Sequence, residues 1–211
     1  MKIINLIVMA MFFLVAPIFA SSGDIKLAAP DKKGGKTIMA TLNTRKSDRN
    51  FSSKNLSPQQ LSNLLWAGAG VSREDGRRTA PSARNWQEID IYVVMASGTY
   101  CYDSKTHSLL LKSKEDLRKH AVRQDFAQKA PIVLVYVANY DKMNGADEEG
   151  QKYLSRVDTG FIGQNIYLYC ASEGLSTVFI AMVDTKGMGK VLKLKPTQEV
   201  LFSQPVGFPN K

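Results

Sequence analysis

Arg45, Lys46, Ser47 and Arg49 stand together in the stretch Arg45-Lys46-Ser47-Asp48-Arg49-Asn50-Phe51. Guanidinium forks and an ammonium group, with a hydroxyl between them, suit the oxygens of a phosphate. The same residues would also make a solvated basic turn. A second polar group follows at Pro81-Ser82-Ala83-Arg84-Asn85-Trp86-Gln87, just before an apolar run. Proline fixes the backbone there, and Ser, Asn and Gln offer donors and acceptors for the edge of a planar heterocycle. Taken by itself, the stretch is equally a polar loop. The only histidines are His107 and His120, and neither has a ligand partner at metal-binding spacing. The chain has no Gly-rich P-loop and no Gly-x-Ser-x-Gly elbow. Its chemistry therefore has to come from a bound cofactor or consist of binding alone.

The elements that would position these groups can be read from pattern. Thr37 caps a short helix through Ile38, Met39 and Leu42. Ser57-Pro58-Gln59-Gln60 joins a capping serine to a first-turn proline and a glutamine three residues past the cap, so a helix follows and ends near Gly68 and Gly70. Residues 89–96, 99–102 and 107–112 read as an antiparallel meander. Ser113 caps a helix leading toward Ala130, and the β-branched run 132–138 reads as a central strand. Residues 139–151 read as a polar surface loop, and Asp158 as the cap of the longest helix, which leaves through Gly174. A strand over 177–183, a short helix over 187–192 and a last strand over 199–206 complete the chain. Strands and helices neither alternate strictly nor segregate, so the fold class is α+β.

The chain has 211 residues and a formal charge of +9. Lys2 and the apolar run 3–19, followed by Ala20, Ser21 and Ser22, read as an export signal rather than a membrane anchor, since spanning needs about 20 apolar residues. The expected divisions are a signal peptide over 1–20, a flexible tether over 21–36 and a domain over 37–211. Export places the protein in the periplasm or outside the cell, with no membrane anchor once the signal is cleaved. Scattered cations and export both disfavour nucleic acid as a partner. Cys101 and Cys170 would be permitted to pair in an oxidising compartment, or would serve as two separately buried thiols.

These stretches resemble one family. Residues 45–51 resemble the Arg-x-Ser-x-Arg-x-Phe signature of the nitroreductases, and residues 81–87 resemble their Pro-Ser-[Ser/Ala]-x-Asn-x-Gln loop. Gln164-Asn165-Ile166-Tyr167-Leu168, leading to Gly174-Leu175-Ser176-Thr177, is similar to the family's Gln-Asn-x-x-Leu helix and Gly-Leu-Gly-Thr turn. Pro205-Val206-Gly207-Phe208-Pro209 is similar to its closing strand. The matches keep family order and span residues 41–209.

The resemblance implies a mixed, mainly antiparallel sheet flanked by helices, in an intertwined homodimer with two FMN sites at the interface. Arg45, Lys46 and Ser47 would hold the flavin phosphate, and Arg49 the pyrimidine edge. Pro81, Ser82, Ala83 and Asn85 would reach the ring and ribityl chain from the other subunit, and Gly174, Leu175 and Ser176 would lie opposite. A backbone N–H of Ala181 or Met182 would meet flavin N5. Electrons would enter and leave through N5 in ping-pong fashion, from NAD(P)H to nitroaromatics, quinones or similar small oxidised substrates, with no protein nucleophile. The chain departs from the family at its end, where only Lys211 could stand for the further phosphate-binding cations. The helix motif also resembles the peptide azoline dehydrogenases, which use a Lys-Tyr pair. Lys152-Tyr153 stands too close to Gly160 for that pair and reads as loop packing. The readings from other classes are an exported flavin-binding protein without turnover and a basic envelope-binding module without flavin.

Overall fold

The computed structural model describes residues 23–210; the expected signal peptide and Lys211 lie outside the described residues. In chain order the elements are β1 (Ile25–Lys26), α1 (Ile38–Thr44), α2 (Pro58–Ala69), β2 (Ile89–Met95), β3 (Gly98–Asp103), β4 (Ser108–Ser113), α3 (Arg118–Ala121), α4 (Asp125–Gln128), β5 (Ile132–Asn139), α5 (Glu148–Glu173), β6 (Ser176–Thr177), α6 (Thr185–Val191) and β7 (Gln198–Gly207). The strands form one sheet in the order β1-β4-β3-β2-β5-β7-β6, and every pairing among the described residues is antiparallel.

The period-two alternation of strand side chains separates two cores. Ile132, Leu134, Tyr136 and Ala138 of β5 face the α2 and α5 side with Leu64, Leu65, Ile162 and Ile166. Val133, Val135 and Val137 face the other side with Ala121, Ala127 and Met188. Being covered on both faces is the reason β5 is apolar without interruption. Cys170 belongs to the first core and Cys101 borders the second, on opposite faces of the sheet, and both are free thiols.

The caps follow local chemistry. Thr37 Oγ1 accepts from Ala40 N. Ser57 Oγ accepts from Gln60 N while Gln60 Oε1 accepts from Ser57 N, closing a capping box.

Five expectations need correction. Residues 23–36 are no tether, because β1 pairs with β4, Leu27 is buried, and Ser62 Oγ and Gln59 Nε2 donate to the Ala28 and Ala29 carbonyls. Polar side chains of α2 satisfy that backbone, so little apolar content is needed. Asp147, not Asp158, caps α5, accepting from Gly150 N at 2.8 Å, with Glu148 and Glu149 favourably placed in the first turn. The polar stretch expected as a loop therefore ends in helix, and Lys152-Tyr153 lies on α5. The expected strand 177–183 pairs only through β6 and an isolated bridge, Ile180 to Ser203. The helix expected after Ser113 is replaced by the short α3 and α4, and the Ser113 hydroxyl accepts from Glu115 N instead.

Candidate functional site

α1 ends where Arg45 turns extended, and the chain then runs beside the C-terminal strand. Asp48 N donates to Thr177 O at 2.9 Å and Ser52 N to Phe208 O at 2.9 Å, and Phe51 bridges Pro209. This ladder fixes the basic turn against the exit of α5. The Tyr167 hydroxyl joins the segments: it accepts from Phe179 N at 2.8 Å and lies 2.8 Å from Ser47 Oγ. The Arg45 guanidinium sits over the Tyr167 ring, 5.2 Å from its centroid. Lys46 is exposed and pairs with Asp48 at 3.5 Å. Partial burial works to raise the Asp48 carboxyl, but the Asn50 N–H and the Lys46 charge outweigh it and hold the group below the usual range. Arg49 is exposed and has no ion-pair partner among the described residues.

α5 leaves through Gly174 at φ 69°, a left-handed turn in which Leu175 N reaches Cys170 O. Lys46, Asp48, Tyr167, Gly174, Ser176 and Pro209 line a cleft of about 190 Å³ there. The backbone beyond β6 is held by Ile180 N to Ser203 O at 2.8 Å. Ala181 and Met182 then stand exposed, Met182 at 71%, and their N–H groups have no acceptor among the described residues.

The Pro81–Gln87 loop is built differently. Arg84, Asn85 and Gln87 are all left-handed, at φ 48°, 55° and 52°. Such residues cost on the order of 1 kcal/mol each without outside support. Support comes from Asp158 Oδ2, which accepts from Ala83 N at 2.8 Å, and from Ser82 Oγ, which accepts from Gln87 N at 3.0 Å. Gln87 Nε2 donates to Gly76 O and Asn85 Oδ1. Pro81 and Asn85 are exposed, and Ser82 and Ala83 half-buried.

The two halves do not meet within one chain. Both lean on α5, one through Tyr167 and the other through Asp158. Nine helical residues separate these anchors by about 14 Å along the axis and roughly 180° around it. The chain thus presents the basic turn with the Gly174 exit at one end of α5, and the Pro-Ser loop on another side. The 190 Å³ cleft is smaller than a complete cofactor pocket of about 300–1,000 Å³.

Sequence reasoning did not assign Tyr167, although it lies inside a quoted motif, because a hydroxyl bridging two distant backbones has no local signature. It also missed Glu88, whose place at the start of an apolar strand was the available signal. His107 is structural: its ring bonds Ser62 Oγ and the Tyr102 hydroxyl, both at 2.8 Å. No group of metal-ligating residues occurs among the described residues.

Comparison with known proteins agrees with the geometry. The family model described as "Nitroreductase family" matches residues 42–208. A protein of Methanocaldococcus jannaschii named as a nitroreductase is 33% identical over 174 residues, covering 77% of this chain and 86% of its own. A crystal structure from Ralstonia eutropha, also named as a nitroreductase, is 39% identical with a TM-score of 0.85, covering 89% of this chain and 90% of that one. Nitroreductase A of Vibrio parahaemolyticus shares the fold, with a TM-score of 0.63 at 23% identity, over 84% of this chain and 70% of that one. With the motifs in family order on a matching fold, this chain belongs to the nitroreductase family.

Proposed function

We propose that the protein is an exported, homodimeric, FMN-dependent oxidoreductase that takes electrons from NAD(P)H in vitro and passes them to nitroaromatics, quinones or similar small acceptors. The observation that carries the reading is convergence at one end of α5. The Arg45–Ser47 turn and the Gly174 exit meet there, as a phosphate would require, and Tyr167 ties them to Phe179, which leads to the N–H groups of Ala181 and Met182 that have no acceptor among the described residues.

The residues fit the group. Arg45, Lys46 and Ser47 offer a charged fork, a point charge and a hydroxyl to a near-dianion. Gly174 leaves the ring side open, since a Cβ there would meet nothing within 4 Å. FMN, when bound, supplies two-electron redox chemistry at N5 in alternating half-reactions. The protein's share is positioning and charge: Arg49 favours negative charge at the pyrimidine edge, and the Ala181 or Met182 N–H orients N5. The Pro81, Ser82, Ala83 and Asn85 loop completes the site from the second subunit, which accounts for its separation from the basic turn within one chain. Export rests on Lys2 and the apolar run behind it. Lys152 is engaged by Glu148 and Tyr153 is exposed, which does not favour an azoline-dehydrogenase pair.

The deciding experiment is an absorbance spectrum of purified protein, followed by anaerobic mixing with NADPH. A flavin band that bleaches and returns on adding a nitroaromatic or quinone is expected. A band that no donor bleaches would indicate flavin binding without turnover, and protein that stays colourless after incubation with FMN would end the reading.

A further inference from the structure

Beneath the Pro-Ser loop lies a small cavity lined by Arg78, Ser82, Gln87, Glu88, Asp158 and Ile162. Two of these are carboxylic acids that the proposed reaction does not use. Glu88 is 0% exposed and Asp158 is 3% exposed. Neither Glu88 carboxylate oxygen receives a hydrogen bond from another residue's donor; Asp158 faces it directly, and Arg78, whose buried Nε has no hydrogen-bond partner among the described residues, lines the same cavity. Two carboxylates buried in one closed space repel each other when both are charged, and a single proton shared between them removes that repulsion. Asp158 already accepts the Ala83 N–H, which favours its charged form. Glu88 is therefore the acid that keeps the proton and donates it to Asp158.

The surroundings agree. Burial pushes the Glu88 carboxyl up to about 7, opposed by its own backbone N–H and more weakly by Lys142, and reinforced by the Asp158 carboxylate. Burial also raises Asp158. The cations facing the pair are Arg78, from the segment after α2, and Lys142, from the turn after β5. Lys142 Nζ is already committed, donating to Asp90 Oδ1 at 2.7 Å and to Gln87 O at 3.3 Å. It therefore neutralises the pair only in part.

We propose that Glu88 and Asp158 are positioning residues that share one proton, and that this proton latches the Ala83–Gln87 loop in the shape that grips the flavin. With the proton present, Asp158 holds the Ala83 N–H and the left-handed residues stay in place. When it is lost, two like charges meet in a closed space, the carboxylates separate and the loop loosens. The proposal rests on the FMN reading given above. The sign follows from the raised acid: the folded state holds the proton more tightly than the unfolded one, so stability is greatest at low pH and falls as pH rises from about 4.5 through about 7.

The test is flavin affinity from pH 6 to 8.5, measured by fluorescence for the full protein with FMN and with riboflavin, which lacks the titrating phosphate. For wild type, riboflavin affinity should fall on the order of tenfold across neutrality. Glu88→Gln supplies a permanent donor to Asp158 and should remove that slope. Asp158→Asn keeps an acceptor for Ala83 and should remove it too. A wild-type affinity that does not change with pH, or variants that keep the slope, would overturn the latch. Protein that binds no flavin even at pH 6 would sink the FMN reading instead. The latch would then be judged on flavin-free protein by hydrogen exchange at the Ala83 amide. Faster opening with rising pH in wild type but not in Glu88→Gln supports it; equal behaviour in the two refutes it.

Discussion

At the scale of single residues, Tyr167 does work that no motif assigns to it. Its hydroxyl satisfies the Phe179 N–H and touches Ser47 Oγ, while its ring carries the Arg45 guanidinium. Tyr167→Phe keeps the ring and removes only the hydroxyl, leaving a half-buried N–H without its acceptor. We expect flavin-free protein to lose about 1–3 kcal/mol, the cost of an unsatisfied group, by urea denaturation. On the proposed FMN reading, affinity for the cofactor should fall with it because Ser47 is freed from its anchor. A variant as stable as wild type would show that the bridge contributes nothing. The chemical types at Arg45, Lys46 and Ser47 were legible in the sequence because a phosphate site needs those groups close together. Glu88, Asp158 and Tyr167 were not, since each acts on a residue dozens of positions or more away or across an element boundary.

At the scale of elements, α5 is the frame on which both halves of the site hang. Its packing is tightest at Gly163, where a Cβ would stand 2.6 Å from Phe179 ring carbons. That ring stacks on Tyr136 and tilts against Phe202, so it has little room to yield. Alanine in place of a helical glycine ordinarily gains about 0.5–1 kcal/mol. Here overpacking, worth roughly 1–3 kcal/mol, should outweigh that gain. Gly163→Ala should therefore lower the thermal midpoint, as calorimetry would show, and a raised midpoint would mean that Phe179 moves freely. The capping box of α2, the meander and the apolar β5 were legible because their signals are local. The start of α5 was not: Asp147 and Asp158 are both plausible caps in isolation, and only the burial of Asp158 among core residues decides between them.

At the scale of the whole molecule, one face of α5 remains uncovered. Tyr153, Val157 and Phe161, spaced by four, are 67%, 39% and 44% exposed. Ile38, Met39 and Leu42 of α1 are exposed as well. Residues four apart lie on one helix face, so the three α5 side chains make an apolar stripe of the kind a second copy would bury. With the two half-sites on opposite sides of α5, a dimer across this region would be the way to bring them together. On the two-chain reading, wild type should sediment as a dimer in analytical ultracentrifugation, and Phe161→Glu as a monomer that has lost its flavin. Wild type that sediments as a monomer while retaining stoichiometric FMN would refute a two-chain site.

The sequence alone determined the family, the α+β class and the residue types that suit a flavin nucleotide. Those depend on short-range spacing and on side-chain chemistry that folding does not alter. Only the tertiary structure decided that residues 23–36 dock on the sheet edge, that the cysteines sit on opposite faces, and that two acids meet under the Pro-Ser loop. These are contacts between segments far apart in the chain, and which polar groups meet there is set by the packing of the whole sheet and its helices.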